Sequence, residues 1–238
     1  MNSGQLVALA VCLAVMVGAN VWVHVGPDRW QPVTGPVAAA VLLLVGRAAG
    51  LSWAQLGLGS GAVVQGLVWG GAAVAGVTLV YAVGLALPAT RGLFRDARHR
   101  VGARSTIVRA GLVVPLGTVV FEEVAFRGVL WGLFDVAYGA LWATGASAVL
   151  FGFWHVLPAI DGARENSPSG RVPRADLVRQ VAGTVAFTAL AGVVFGVLRD
   201  VSGSLLAPGL LHWATNGLGV VAAALAWRWS AEGPAPVE

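Results

Sequence analysis

The chain has 238 residues, of which 57% are hydrophobic and only 11% charged, against roughly 25% charged in a soluble globular protein. All 15 basic residues are arginine and the net charge is +4; most of them flank apolar runs, as membrane-edge charges do, which excludes nucleic acid as a partner and puts the lipid bilayer in its place. The single cysteine, Cys12, excludes an internal disulfide, dithiol redox chemistry and a multi-cysteine metal site.

Apolar runs of about 20 residues, each long enough to cross a hydrocarbon core of ~30 Å, recur along the chain. The first covers 6–25. Nothing basic precedes it and no small-x-small site closes it, so it reads as a retained helix and not as a cleaved signal peptide. The second, 36–51, is short and holds Arg47, whose stem can snorkel to the membrane edge. Further spans are predicted at 62–87, 112–134, 139–157, 177–198 and 205–227. The expected fold is all-α: a polytopic transmembrane helix bundle of seven or eight helices forming a single integral membrane domain over 1–238. With 33 glycines, helix backbones can approach closely.

Between the third and fourth spans stand Arg91, Arg95, Arg98, Arg100, Arg104 and Arg109 against one acid, Asp96. Arginine accumulates on the cytoplasmic side. Alternation then puts the loop after the fifth span and the C-terminus on that side too. The segment 91–110 reads either as an interfacial amphipathic helix or as a basic loop. The tail 228–238 reads as disordered, and no internal repeat of the transporter kind is present.

The most improbable stretch lies inside the fourth span, at Phe121-Glu122-Glu123-Val124-Ala125-Phe126-Arg127. Each ionised group at mid-bilayer costs about 2.5 to 3.5 kcal/mol on insertion scales, so three together need compensation. Glu123 and Arg127 stand at i,i+4 with the acid first, the favourable order for an ion pair. Glu122 projects about 100° away and is free to face a cavity, where a carboxyl beside apolar groups suits a general base. The competing reading is a buried network that only fixes helix packing.

The fifth span carries Phe151-Gly152-Phe153-Trp154-His155 and the seventh His212-Trp213-Ala214-Thr215-Asn216. At i,i+4, His212 and Asn216 are expected on one face, as a pair of oxyanion donors or as helix-to-helix hydrogen bonds. Taken together, general base, second polar group and oxyanion donors are the parts needed to attack an amide with water. His155 lies close to the predicted end of its span, shallower than Glu122, unless Pro115 breaks the fourth helix or the fifth runs on past Pro158. No helical zinc motif, nucleophilic-serine signature or pair of intramembrane aspartates is present. No cofactor is assigned; Glu, His and His leave a three-ligand zinc site open.

In these residues the chain resembles the CPBP family of intramembrane peptidases, which includes the type II CAAX prenyl endopeptidase and is also called the abortive infection family. The match is Glu-Glu-x-x-x-Arg at Glu122, Glu123 and Arg127, Phe-x-x-x-His at Phe151 and His155, and His-x-x-x-Asn at His212 and Asn216. The resemblance covers roughly 112–227, the expected catalytic helix core. It implies a glutamate-type intramembrane protease acting on a membrane-associated peptide or protein. Glu122 and His155 would activate water, His212 and Asn216 would form the oxyanion hole, and Glu123 with Arg127 would support the site. The all-arginine, glycine- and alanine-rich usage points to a bacterial plasma membrane. Two other readings remain open at this point: a non-catalytic membrane binding or immunity protein, and a small proton-coupled transporter working through Glu122 and His155.

Overall fold

The computed structural model describes residues 1–27, 30–167 and 169–230. Seven long helices run through these residues, and no strand occurs among them. They are α1 (Ser3–Val25), α2 (Gln31–Ala48), α3 (Val63–Ala86), α4 (103–138), α5 (Ala140–Glu165), α6 (Arg174–Ser202) and α7 (Leu206–Arg228). Of these α1, α3, α5, α6 and α7 are long and apolar enough to cross a membrane. The shorter α2 and the charge-bearing α4 complete the bundle. The all-α membrane bundle expected from the apolar runs is therefore the fold found. The expected tail lies mostly outside the described residues: Arg228 ends α7, Trp229 and Ser230 form the turn after it, and nothing beyond is described.

Local chemistry sets the ends. Asn2 accepts from the Gln5 N–H at 2.9 Å while the Gln5 side chain accepts from the Asn2 N–H at 2.9 Å, a reciprocal cap that starts α1. Gly139, at φ 86°, forms the one-residue joint between α4 and α5. Val7, Leu79, Leu141 and Phe187 point outward with most of their surface exposed. Such an apolar exterior suits lipid rather than water as the solvent.

The centre of the bundle is α4, where every residue from 121 to 133 is buried. Phe126, Val129, Leu130 and Leu133 pack there with Cys12 of α1, Leu42 of α2, Phe151 of α5 and Phe195 of α6. Pro115 does not break α4. The chain widens around it instead: over Arg109–Val119 the turns are π-helical, and the Val120 N–H reaches the Pro115 carbonyl five residues back. Two more such turns occur, at Val124–Leu130 and Ala214–Leu218. They hold Arg127 and Asn216.

Arg199 ties the fold together from within. Its guanidinium donates to the carbonyls of Arg127 (3.2 Å), Ala54 (3.2 Å) and Gln55 (2.8 Å), and stacks 4.8 Å from the Trp131 ring. The loop between α2 and α3 is thus fastened to α4 and α6.

The pairing of α5 with α6 is built on small residues. A Cβ on Gly192 would stand 2.8 Å from the Ala148 Cα, and one on Gly196 would stand 2.7 Å from the Thr144 Cγ2. Gly192→Val is expected to cost about 1 to 3 kcal/mol through overpacking, read as a lower Tm in detergent, and to impair any function that depends on the residues α5 carries.

Candidate active site

The residues singled out on α4, α5 and α7 come together at the middle of the bundle. Glu122 is 6% exposed, Glu123 3% and His212 2%, and Arg127 is fully buried. Buried ionised groups at this depth require partners. Arg127 Nη1 donates to Glu123 Oε1 at 3.1 Å, the i,i+4 ion pair expected from the sequence. The same oxygen lies 2.8 Å from His212 Nδ1, so this nitrogen carries a proton and donates to the carboxylate. Across the ring, His212 Nε2 stands 3.8 Å from Glu122 Oε2. One imidazole therefore sits between the two acids.

Aromatic faces enclose the guanidinium and the imidazole. The Arg127 guanidinium carbon lies 4.1 Å from the centre of the Phe151 ring and 4.6 Å from that of Phe195. Phe195 also stacks on His212 at 5.2 Å with 24° between the planes. Arg127 Nε and Nη2 have no hydrogen-bond acceptor, and these ring faces offer the guanidinium an electrostatic substitute.

Glu122 faces the other way. Its Oε1 accepts from the Trp154 indole N–H at 2.9 Å, while Oε2 is buried with no hydrogen-bonded protein partner. Beside it opens a cavity of about 770 Å³ lined by Glu122, Trp154, His155 and Asn216, within the range of pockets that hold small molecules and peptide segments. His155 reaches it because α5 kinks there and continues over Val156–Glu165, past Pro158. His155 therefore does not stand at the end of its span, since ten helical residues follow it. His155 Nδ1 lies 2.8 Å from the Phe151 carbonyl, which can only accept, so Nδ1 holds a proton and in the neutral ring the lone pair is on Nε2.

His212 and Asn216, expected on one face from their i,i+4 spacing, both lie near Glu122: His212 Nε2 stands 3.8 Å from its Oε2, and Asn216 lines the same cavity as Glu122. A π-helical turn at Ala214–Leu218 holds Asn216. His212 is turned onto the acids, whereas Asn216 is exposed to the cavity. The basic segment is neither one continuous helix nor an open loop. It folds as short turns at Pro88–Arg91, Gly92–Phe94 and Ala97–His99, and Arg95, Arg98 and His99 line one end of the cavity. Arg98 grips Asp96 through Nε (3.0 Å) and Nη2 (2.6 Å), and the Asp96 carbonyl accepts from the Trp227 indole at 2.9 Å.

Burial alone would raise the Asp96 carboxyl, but the Arg98 hydrogen bonds and charge outweigh it and bring the group down to about 2 from its ordinary 3.8. A lowered acid stabilises the folded chain above its unfolded value. Below that the unfolded state takes up the proton first, so the contribution disappears as pH falls from 3.8 towards 2. Thermal unfolding in detergent is expected to show a drop in Tm through this window that Asp96→Asn lacks.

Two positions in this arrangement carried no signal of their own in the sequence: Phe195, one aromatic in an apolar run, and Trp154, quoted only as part of a motif. Asn20, which donates to the Trp154 carbonyl at 3.1 Å, was visible as a lone amide in the first span. Among the described residues no three or more His, Cys, Asp or Glu side chains are grouped so as to hold a metal ion.

Comparison with curated proteins and with solved structures gives no match. Residues 104–218 match a family model described as type II CAAX prenyl endopeptidase Rce1-like. Glu122, Glu123, Arg127, His155, His212 and Asn216 all fall in that stretch, and over it the chain is similar to the type II CAAX prenyl endopeptidases of the Rce1-like kind.

Proposed function

We propose that this chain is an intramembrane endopeptidase that hydrolyses a peptide bond of a membrane-associated substrate with water activated at Glu122. The observation that carries this reading is the meeting of Glu122, His155 and Asn216, from three helices, on the wall of one cavity inside an apolar bundle.

Water bound between Glu122 Oε2 and His155 Nε2 would give its proton to the carboxylate as its oxygen attacks the substrate carbonyl carbon. The developing oxyanion would be met by the Asn216 amide, with His212 as the second donor. With Nδ1 committed to Glu123, Nε2 is the ring atom left for this task, and it donates only when His212 carries both protons. Two carboxylates, the Arg127 guanidinium and that imidazolium are together formally neutral. When the tetrahedral intermediate collapses, the C–N bond breaks and the proton held on Glu122 passes to the leaving amine. Glu123 and Arg127 take no proton; they hold His212 in place.

The arginine-rich turns at one end of the cavity support a cytoplasmic opening, by the bias of arginine to that side. The test is to present purified protein in liposomes with a library of membrane-anchored peptides and to search for new termini by mass spectrometry. Cleavage that depends on Glu122 is the expected result. An intact library, with a folded protein, would remove the peptidase reading and favour a binding protein that uses the same chamber.

A further inference from the structure

We infer that Trp154 is a positioning residue for Glu122, held in place from α1 by Asn20; the inference rests on the peptidase reading above.

A carboxylate's terminal torsion is broad and two-fold, so an unrestrained glutamate presents either oxygen to a substrate. The Trp154 indole N–H, 2.9 Å from Oε1, selects one arrangement and leaves Oε2 for water. The indole itself has little freedom. Its ring packs against Phe121, with centroids 5.8 Å apart, and edge-on to Phe126 at 5.7 Å.

The backbone at Trp154 is fixed by a separate device. In an unbroken helix its carbonyl would accept from the N–H four residues on, but that residue is Pro158, which has none. An orphaned carbonyl beside a membrane cavity is costly. Asn20 supplies the missing donor, its Nδ2 lying 3.1 Å from the Trp154 oxygen. One turn further along α1, His24 Nε2 stands 3.2 Å from Asp161 Oδ2, a second tie to the same part of α5. A hydrogen-bonded series thus runs from Asn20 through Trp154 to the carboxyl of Glu122. Its first member lies outside the stretch 104–218 that matches the family, so α1 completes a site whose other parts lie within that stretch.

The experiment compares wild type, Trp154→Phe, Asn20→Leu and the double variant by steady-state cleavage and thermal unfolding. Phe keeps the ring contacts and removes only the donor. Because small misplacements of a reacting group cost up to about 100-fold, Trp154→Phe is expected to lower kcat about tenfold or more. KM should stay within about twofold and Tm nearly unchanged, and the acid limb of the pH–rate profile should move. Asn20→Leu should lower kcat with the same unchanged KM, and the double variant should be no slower than Trp154→Phe alone, since both act through one bond. Wild-type turnover in Trp154→Phe, or losses that multiply in the double variant, would leave Trp154 with a packing role only and the peptidase reading intact. A wild type that cleaves nothing removes both.

Discussion

Glu122→Gln is expected to abolish cleavage while leaving the fold unchanged. The substitution is nearly isosteric, and a Gln carbonyl oxygen can still accept from the Trp154 indole that now bonds Oε1 at 2.9 Å. The position of Oε2 becomes an amide nitrogen, which cannot take a proton from water. Loss of a positioned general base costs about 10² to 10⁴ in rate, so kcat should fall to the background of the assay. Thermal unfolding in detergent checks that the loss is chemical. Turnover above about one-tenth of wild type would rule out Glu122 as the base.

Arg127→Met is expected to produce the largest loss of stability of any single change in the bundle. It leaves Glu123, 3% exposed, without its cation. Removing one partner of a buried pair costs about 3 to 5 kcal/mol, which in a protein of this size corresponds to a fall in Tm of about 10 °C. Removing the acid as well should return part of that: Arg127→Met with Glu123→Gln is expected to melt above Arg127→Met alone, the sign of direct coupling. Arg127→Lys should not rescue, since an ammonium cannot lie flat between the Phe151 and Phe195 rings. A double variant no more stable than the single one would show that the 3.1 Å contact carries little energy.

The bilayer makes much of this fold readable in advance. Lipid leaves backbone groups no partner except their own helix, so each apolar run had to become a helix, and seven runs became seven helices. Charge inside such a run is equally legible. Glu122, Glu123 and Arg127 stood out because membrane insertion penalises them, and i,i+4 spacing identified the ion pair. What spacing could not supply was local departure from regular helix geometry. The wide turn at Ala214–Leu218 holds Asn216, and no residue type within it announces such a turn. Contacts between distant segments were equally hidden: Phe195 reaches His212 only because α6 packs along α5, and the arginine-rich turns are shaped by Asn166 and Trp227 from α5 and α7.

The small-residue seam between α5 and α6 leaves those two helices little slack, since Gly192 already lies against the Ala148 backbone and Gly196 against the Thr144 side chain. Strain that widens the chamber is therefore relieved most cheaply elsewhere, where the ties are half-wet polar contacts: His24 with Asp161, and Arg98 with Glu165 at 3.8 Å. Such pairs part for about 1 kcal/mol or less. Breathing of the vestibule at those edges can thus proceed on a floor of buried charge that stays locked, with admission of a guest and upkeep of the reactive geometry assigned to different regions of one small bundle.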